Sequence, residues 1–231
     1  MVSGLYRDRL LLIALAMITG TDRGTDKRVD RRSKRRQETI AEILTIAVEQ
    51  MAADGVAALS LSDVARRLGI QPPSLFKYFP SKLALYDALF AESARGVLAV
   101  FREGIAAAPR GVPALRAGVA AMGHWGLANQ PLAQLLFWRP VPRFTPSDEA
   151  FRPSVELVEE IRSVLRAAVA AGQLRPEAAG EQGQAMLSAL IAGAMTQQMA
   201  NEPSAEFDSG RFTALLPRLI DMYVLTFGTR S

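Results

Sequence analysis

The side chains best suited to chemistry crowd into a short stretch: Gln71, Ser74, Lys77, Tyr78 and Lys82. Amides and hydroxyls read base edges, and cations and phenols hold phosphate oxygens. Catalysis has far less to draw on. The chain of 231 residues has one histidine, His124, and no cysteine, which excludes disulfides, thiolate nucleophiles and thiolate metal sites. His124 lacks companions at metal-ligand spacing. No glycine-rich phosphate loop follows a strand pattern. Glu159 and Glu160 are adjacent, so on a helix they diverge instead of converging on one site. The expectation is no catalytic residue, no metal and no cofactor.

The elements that must position the first group are two short helices around a turn. Ser60 or Ser62 suits the cap of the first, and Leu61, Val64, Ala65 and Leu68 give it one apolar face. Gly69 follows its last turn, where a residue free to take positive φ ends a helix cheaply. Pro72 and Pro73 suit the first turn of the second helix, which runs from Ser74 to Phe79 before Pro80 stops it. Such a pair around a glycine turn is the helix-turn-helix pattern, whose second helix enters the major groove. The same spacing also fits an ordinary αα-hairpin. A preceding helix is predicted over Gln37–Ala53 from Ile40, Ile43, Leu44, Ala47, Val48 and Met51, and a long following one over Ser81–Ile105.

The run LSLSDVARRLGIQPPSLFKYFPSKLAL resembles the DNA-binding segment of the tetracycline-repressor (TetR) family of bacterial regulators. Ala65, Gly69, Ile70, Leu75, Phe76, Tyr78, Phe79, Ser81, Lys82 and Leu85 carry the likeness, which is specific over Arg35 to Ala91. Gln71 departs from it by replacing the usual serine cap, Phe76 stands where a tyrosine is frequent, and Pro72 and Pro73 are unusual together. The resemblance implies an all-α fold: a three-helix helix-turn-helix domain over 34–80, then a helical ligand-binding and dimerisation domain over 81–231. It implies DNA contacts from Arg36, Ser62, Arg66, Gln71, Pro72, Pro73, Ser74, Lys77, Tyr78 and Lys82. It also implies that the long helix transmits a ligand signal.

Charge is unevenly placed. Residues 1–36 hold ten Lys/Arg against four Asp/Glu, while the remainder holds 17 against 19. Residues 1–33 read as a flexible basic extension, either a solvated charge run or an arm on DNA. Its apolar run Leu10–Ile18 is shorter than the ~20 residues a membrane span needs. As a signal peptide it would secrete a DNA-binding module to no purpose, so a flexible extension, or upstream sequence ahead of a true start at Met17, is the expected account. Cytoplasmic localisation, without a membrane partner, is the expectation.

Beyond Pro109, Gly111 and Pro113, helical patterns run at Ala114–Asn129, Leu132–Trp138, Phe151–Ala171, Pro176–Ala200 and Gly210–Phe227, and Arg139 to Pro146 is too proline-rich to join them. His124, Trp125, Leu135, Trp138, Met186 and Leu190 are the candidate walls of a pocket for a small apolar or aromatic ligand. The same spacing also makes ordinary core. Gly183–Thr196 is nearly apolar all round, which predicts burial on every side. A second copy would supply it: Ala185, Ala189, Ala192 and Gly193 with Leu216, Ile220 and Tyr223 form the candidate four-helix homodimer interface.

The expected function is a transcriptional regulator on a pseudo-palindromic double-stranded operator, a repressor released by its ligand. An activator without an inducer, or a helical module binding protein instead of DNA, is the alternative. A helical cofactor enzyme is opposed by the missing motifs.

Overall fold

The computed structural model describes residues 27–229. Among them the chain is helical, with one isolated bridge between Leu174 and Gly228 and no strand. It divides into two compact units between Ala88 and Leu89.

The first unit begins with α1 (Lys27–Asp54), whose apolar stripe buries Ile43, Leu44, Ile46, Ala47 and Met51. The expected start was Gln37. Lys and Arg are good helix formers, so a helix seeded by the buried stripe propagates back through them. Residues 27–33 therefore continue the helix, while the rest of the expected extension, Leu10–Ile18 included, lies outside the described residues. α2 (Leu61–Arg67) is capped by Ser60, whose Oγ accepts from the Asp63 N–H at 3.3 Å. It ends in a Schellman motif. Gly69, at φ 74°, donates to the Arg66 carbonyl at 3.2 Å, and Ile70 donates to that of Ala65 at 3.0 Å.

α3 (Pro72–Leu75) is shorter than predicted, because Tyr78 and Phe79 both donate to the Leu75 carbonyl and tighten the chain out of helix. Val64, Ala65, Leu75, Phe79, Leu85 and Tyr86 close this unit's core with the α1 stripe. α4 (Lys82–Ala106) opens on Ser81, whose Oγ accepts from the Ala84 N–H at 3.1 Å. Its first seven residues count with the first unit and the rest with the second.

The second unit adds α5 (Val112–Ala128), α6 (Gln130–Trp138), α7 (Asp148–Ala170), α8 (Glu181–Asn201) and α9 (Leu216–Phe227). α5 approaches α4 closely: a Cβ on Gly118 would lie 2.5 Å from the Phe101 ring. Gln198, fully buried on α8, accepts from the N–H groups of Phe212 (2.9 Å) and Thr213 (3.2 Å) and donates to the Glu202 carbonyl at 2.8 Å. That one amide ties the loop before α9 to α8.

Two expectations about this unit need correction. Leu216, Ile220 and Tyr223 are buried in the chain's own interior, so they cannot meet a second copy. The apolar residues α9 leaves exposed are Met222 and Leu225, with Leu215 just ahead of it. And α8 is not enclosed on every side. It buries Leu187, Ala194, Met195, Gln198 and Met199 and exposes Ala185, Ser188, Ala189, Ala192 and Gly193. Small residues contribute little to an apolar stripe, which is why the sequence pattern did not separate the two faces.

Candidate nucleic-acid interface

In the first unit, α2 and α3 meet at the Gly69 turn and frame an open depression of about 460 Å³ lined by Ser62, Arg66, Gly69, Ile70, Gln71 and Pro72. Four of the expected DNA-contacting residues thus share one concavity. Ser62, Gln71 and Pro73 are exposed, while Pro72 and Ser74 are half-buried. Arg66 is exposed and pairs with Asp63 at 2.6 Å, one turn back on the same helix. Such a surface pair contributes ~0–1 kcal/mol and yields readily to a phosphate. Lys77 is exposed just beyond α3.

The remaining three are already engaged within the unit. Both terminal nitrogens of Arg36 donate to the Lys77 carbonyl at 3.3 Å, and its guanidinium lies 5.1 Å from the Tyr78 ring centre. Arg36 therefore braces the turn after α3 from α1. Lys82 donates from Nζ to the Ala57 carbonyl at 3.0 Å, with two ammonium donors left over, and sits 5.6 Å from the Tyr86 ring centre. Tyr86 itself is buried and donates to the Val56 carbonyl at 2.6 Å. Burial pushes its phenol up to about 12, with a hydrogen bond from the Leu59 backbone acting the other way. These bonds hold the start of α4 against the turn that follows α1.

The sequence reading left Phe76 off the surface expected to meet DNA. It is 50% exposed, an apolar ring between Gln71 and Lys77. Its signal was an aromatic residue on the polar arc of a short helix, where an apolar contact to a thymine methyl is the natural use. Arg67 was missed too. It bonds Glu49 and the Ile46 carbonyl of α1, a brace from α2.

The ligand candidates of the second unit differ in exposure. Trp125 is 8% exposed and packs on Gly96, where a Cβ would stand 3.1 Å from its ring nitrogen. Leu135 is fully buried, and Met186 and Leu190 are half-buried on α8. His124 faces outward, 51% exposed, with Phe207 4.1 Å from its ring centre and Asp208 3.7 Å from its Nε2. Trp138 is 39% exposed and donates to the Thr196 hydroxyl at 3.1 Å. An open depression of about 610 Å³ lies at Asp148, Glu149, Phe151, Arg152 and Val155. Of the six ligand candidates, His124 and Trp138 are exposed, Trp125 and Leu135 are buried, and Met186 and Leu190 are half-buried. The described residues hold no group of three or more His, Asp or Glu placed for a metal, and no helix long and apolar enough to cross a membrane.

Residues 43–89 match the family model of the bacterial regulatory proteins, tetR family. No curated protein matches the sequence. Among solved structures, a protein of unknown function from Rhodococcus sp. RHA1 superposes with a TM-score of 0.68 at 21% identity, covering 82% of this chain and 95% of that one. The TetR-family transcriptional regulator PfmR from Thermus thermophilus follows at 0.62 and 20%, covering 82% and 99%. The fatty acid degradation regulator FadR from Bacillus halodurans gives 0.61 and 18%, covering 79% and 96%.

Proposed function

We propose that this chain, whose residues 43–89 carry a tetR-family helix-turn-helix and whose fold is that of TetR-family regulators, is a homodimeric repressor that leaves a pseudo-palindromic operator when an apolar or aromatic small molecule binds its second unit. It acts by binding, without catalysis, in the cytoplasm where operator DNA lies. The observation that carries the reading is the concavity between α2 and α3, with Ser62, Arg66 and Gln71 on its rim and Lys77 beside it. Pseudo-palindromy follows from two-fold symmetry, with reading helices one turn of DNA apart, ~34–36 Å.

Dimerisation is supported by the exposed small-residue face of α8, where a Cβ on Gly193 would meet nothing within 4 Å, together with Leu225 of α9, 81% exposed. Repression needs only occupancy of a promoter, with no further contact. Ligand entry is supported by Trp125 and Met195, each seated against a glycine (Gly96 and Gly126) and so unhindered by a facing side chain. Ligand and operator then bias one element, the long helix α4.

The test starts from a duplex enriched by the full-length chain from a random-sequence pool. Two chains should bind per enriched duplex, more tightly than per scrambled duplex, with affinity falling as salt rises. Equal affinity for both duplexes overturns the regulator reading. A compound found by its effect on tryptophan fluorescence should bind the DNA-loaded dimer ~5–150-fold more weakly, the same factor by which it weakens DNA binding. Identical compound affinities with and without the duplex remove the inducer and leave the second unit a dimerisation device.

A further inference from the structure

Seven of the ten residues 27–36 are Lys or Arg, against one Asp, and the whole run is helix. Arg31, Arg32, Lys34, Arg35 and Arg36 are all exposed. We propose that this first part of α1 is a second DNA-binding surface, a rigid helical clamp on the phosphate backbone beside the groove that α3 reads. The proposal rests on the regulator reading above and adds a separate set of contacts to it.

Three observations carry it. The first is composition. A single Asp cannot neutralise seven cations, and cations four apart, such as Arg31 with Arg35 and Arg32 with Arg36, repel along a helix. A polyanion laid against them removes that repulsion, and every residue from Arg31 to Arg36 is exposed to receive one. The second is placement. Arg36 bonds the Lys77 carbonyl and stacks on Tyr78, so the basic helix is fastened at its inner end to the turn that follows the reading helix. The third is reach. Ten helical residues extend ~15 Å, slightly more than the ~12 Å width of a major groove, so a helix anchored beside the groove reaches the phosphates that border it. Contacts made to phosphates alone carry no sequence information, so the clamp adds affinity on any duplex.

The experiment compares the full-length chain with the fourfold variant R31Q/R32Q/K34Q/R35Q. Glutamine keeps helix propensity close to that of the residues it replaces, and circular dichroism verifies that helix content is retained. Binding is measured from 50 to 200 mM salt on the enriched duplex and on a scrambled one. Loss of about three phosphate contacts should lower the salt slope by ~2.7 on both duplexes, so that the gap to the parent narrows roughly 40-fold across that range. The ratio of enriched to scrambled affinity should stay that of the parent. An unchanged slope beside an intact ratio overturns the clamp and leaves the regulator reading standing. A lost ratio in the variant also overturns it, since the run would then read sequence. Parent binding to vesicles rich in phosphatidylserine that the variant loses, with DNA slopes equal, overturns it in favour of a membrane face. Failure of the parent itself to prefer the enriched duplex is the separate failure of the regulator reading.

Discussion

The two units treat their charged residues differently. In the second, cations face carboxylates of the same unit: Arg102 meets Glu156 and Glu160, Arg116 meets Asp221, and Arg162 and Arg166 share Glu159. The Arg166 hydrogen bond, ahead of any other influence, holds the Glu159 carboxyl below its ordinary value. Pairs this exposed add little stability; their effect is a surface with little net field. The first unit pairs Arg66 with Asp63 and Arg67 with Glu49, but Lys77 and the run from Arg31 to Arg35 face solvent. The second unit also leaves Arg110, Arg143, Arg152 and Arg218 facing solvent, but these are scattered along its chain. The first gathers its exposed cations into one run, and a run of like charge suits an anionic partner.

The largest effect that could break this contrast lies at Trp125. If the second unit is packed there, Trp125→Ala should cost ~3–5 kcal/mol of stability, read by urea titration with Trp138 as the remaining fluorophore. A cost under ~1 kcal/mol would mean that the ring borders empty space, and the ligand chamber would regain its place among the walls first expected.

Next comes Lys77. Its exposure predicts no change in unfolding midpoint for Lys77→Ala, but a loss of ~1–3 kcal/mol on the enriched duplex if it touches a base. The same loss on scrambled duplex would make it a backbone contact and move base reading to Gln71, Ser74 and Phe76. A shifted midpoint would show that the first unit, too, uses its cations for packing.

The legible parts of the fold were those decided by neighbours in sequence. Ser60, Gly69 and Ser81 set helix ends through bonds to residues no more than three away, and the stripe from Ile43 to Met51 has one buried face. What escaped was decided by partners distant in the chain. α9 carries Leu216, Leu219, Ile220, Met222, Tyr223 and Leu225, apolar in nearly every direction, so its own sequence cannot say which stripe turns inward. The structure does: Ile220 and Tyr223 go in, Met222 and Leu225 stay out. The candidate interface was legible as residue types between 62 and 82. The braces from Arg36 to the Lys77 carbonyl and from Lys82 to that of Ala57 were not, because a backbone acceptor leaves no mark in the sequence.

The smallest effect compares one buried tyrosine in each unit. Tyr86 donates to the Val56 carbonyl at 2.6 Å and Tyr223 to that of Ala178 at 2.8 Å, so either change to Phe should cost ~1 kcal/mol at neutral pH. Burial pushes both phenols up to about 12, against ~10 in an unfolded chain. Between those values the folded state keeps a proton that the unfolded state has released. Unfolding is therefore favoured as pH rises, and the stability each phenol contributes is complete below pH ~10 and lost through about 12. Each Phe variant lacks that loss. Its deficit against the parent should shrink as urea midpoints are followed from pH 9 to 11.5. Should Tyr86→Phe keep the parent's whole alkaline slope while Tyr223→Phe flattens it, the titration that unfolds the protein belongs to the second unit. The phenol of the first would then be a brace for α4 whose ionisation the fold tolerates.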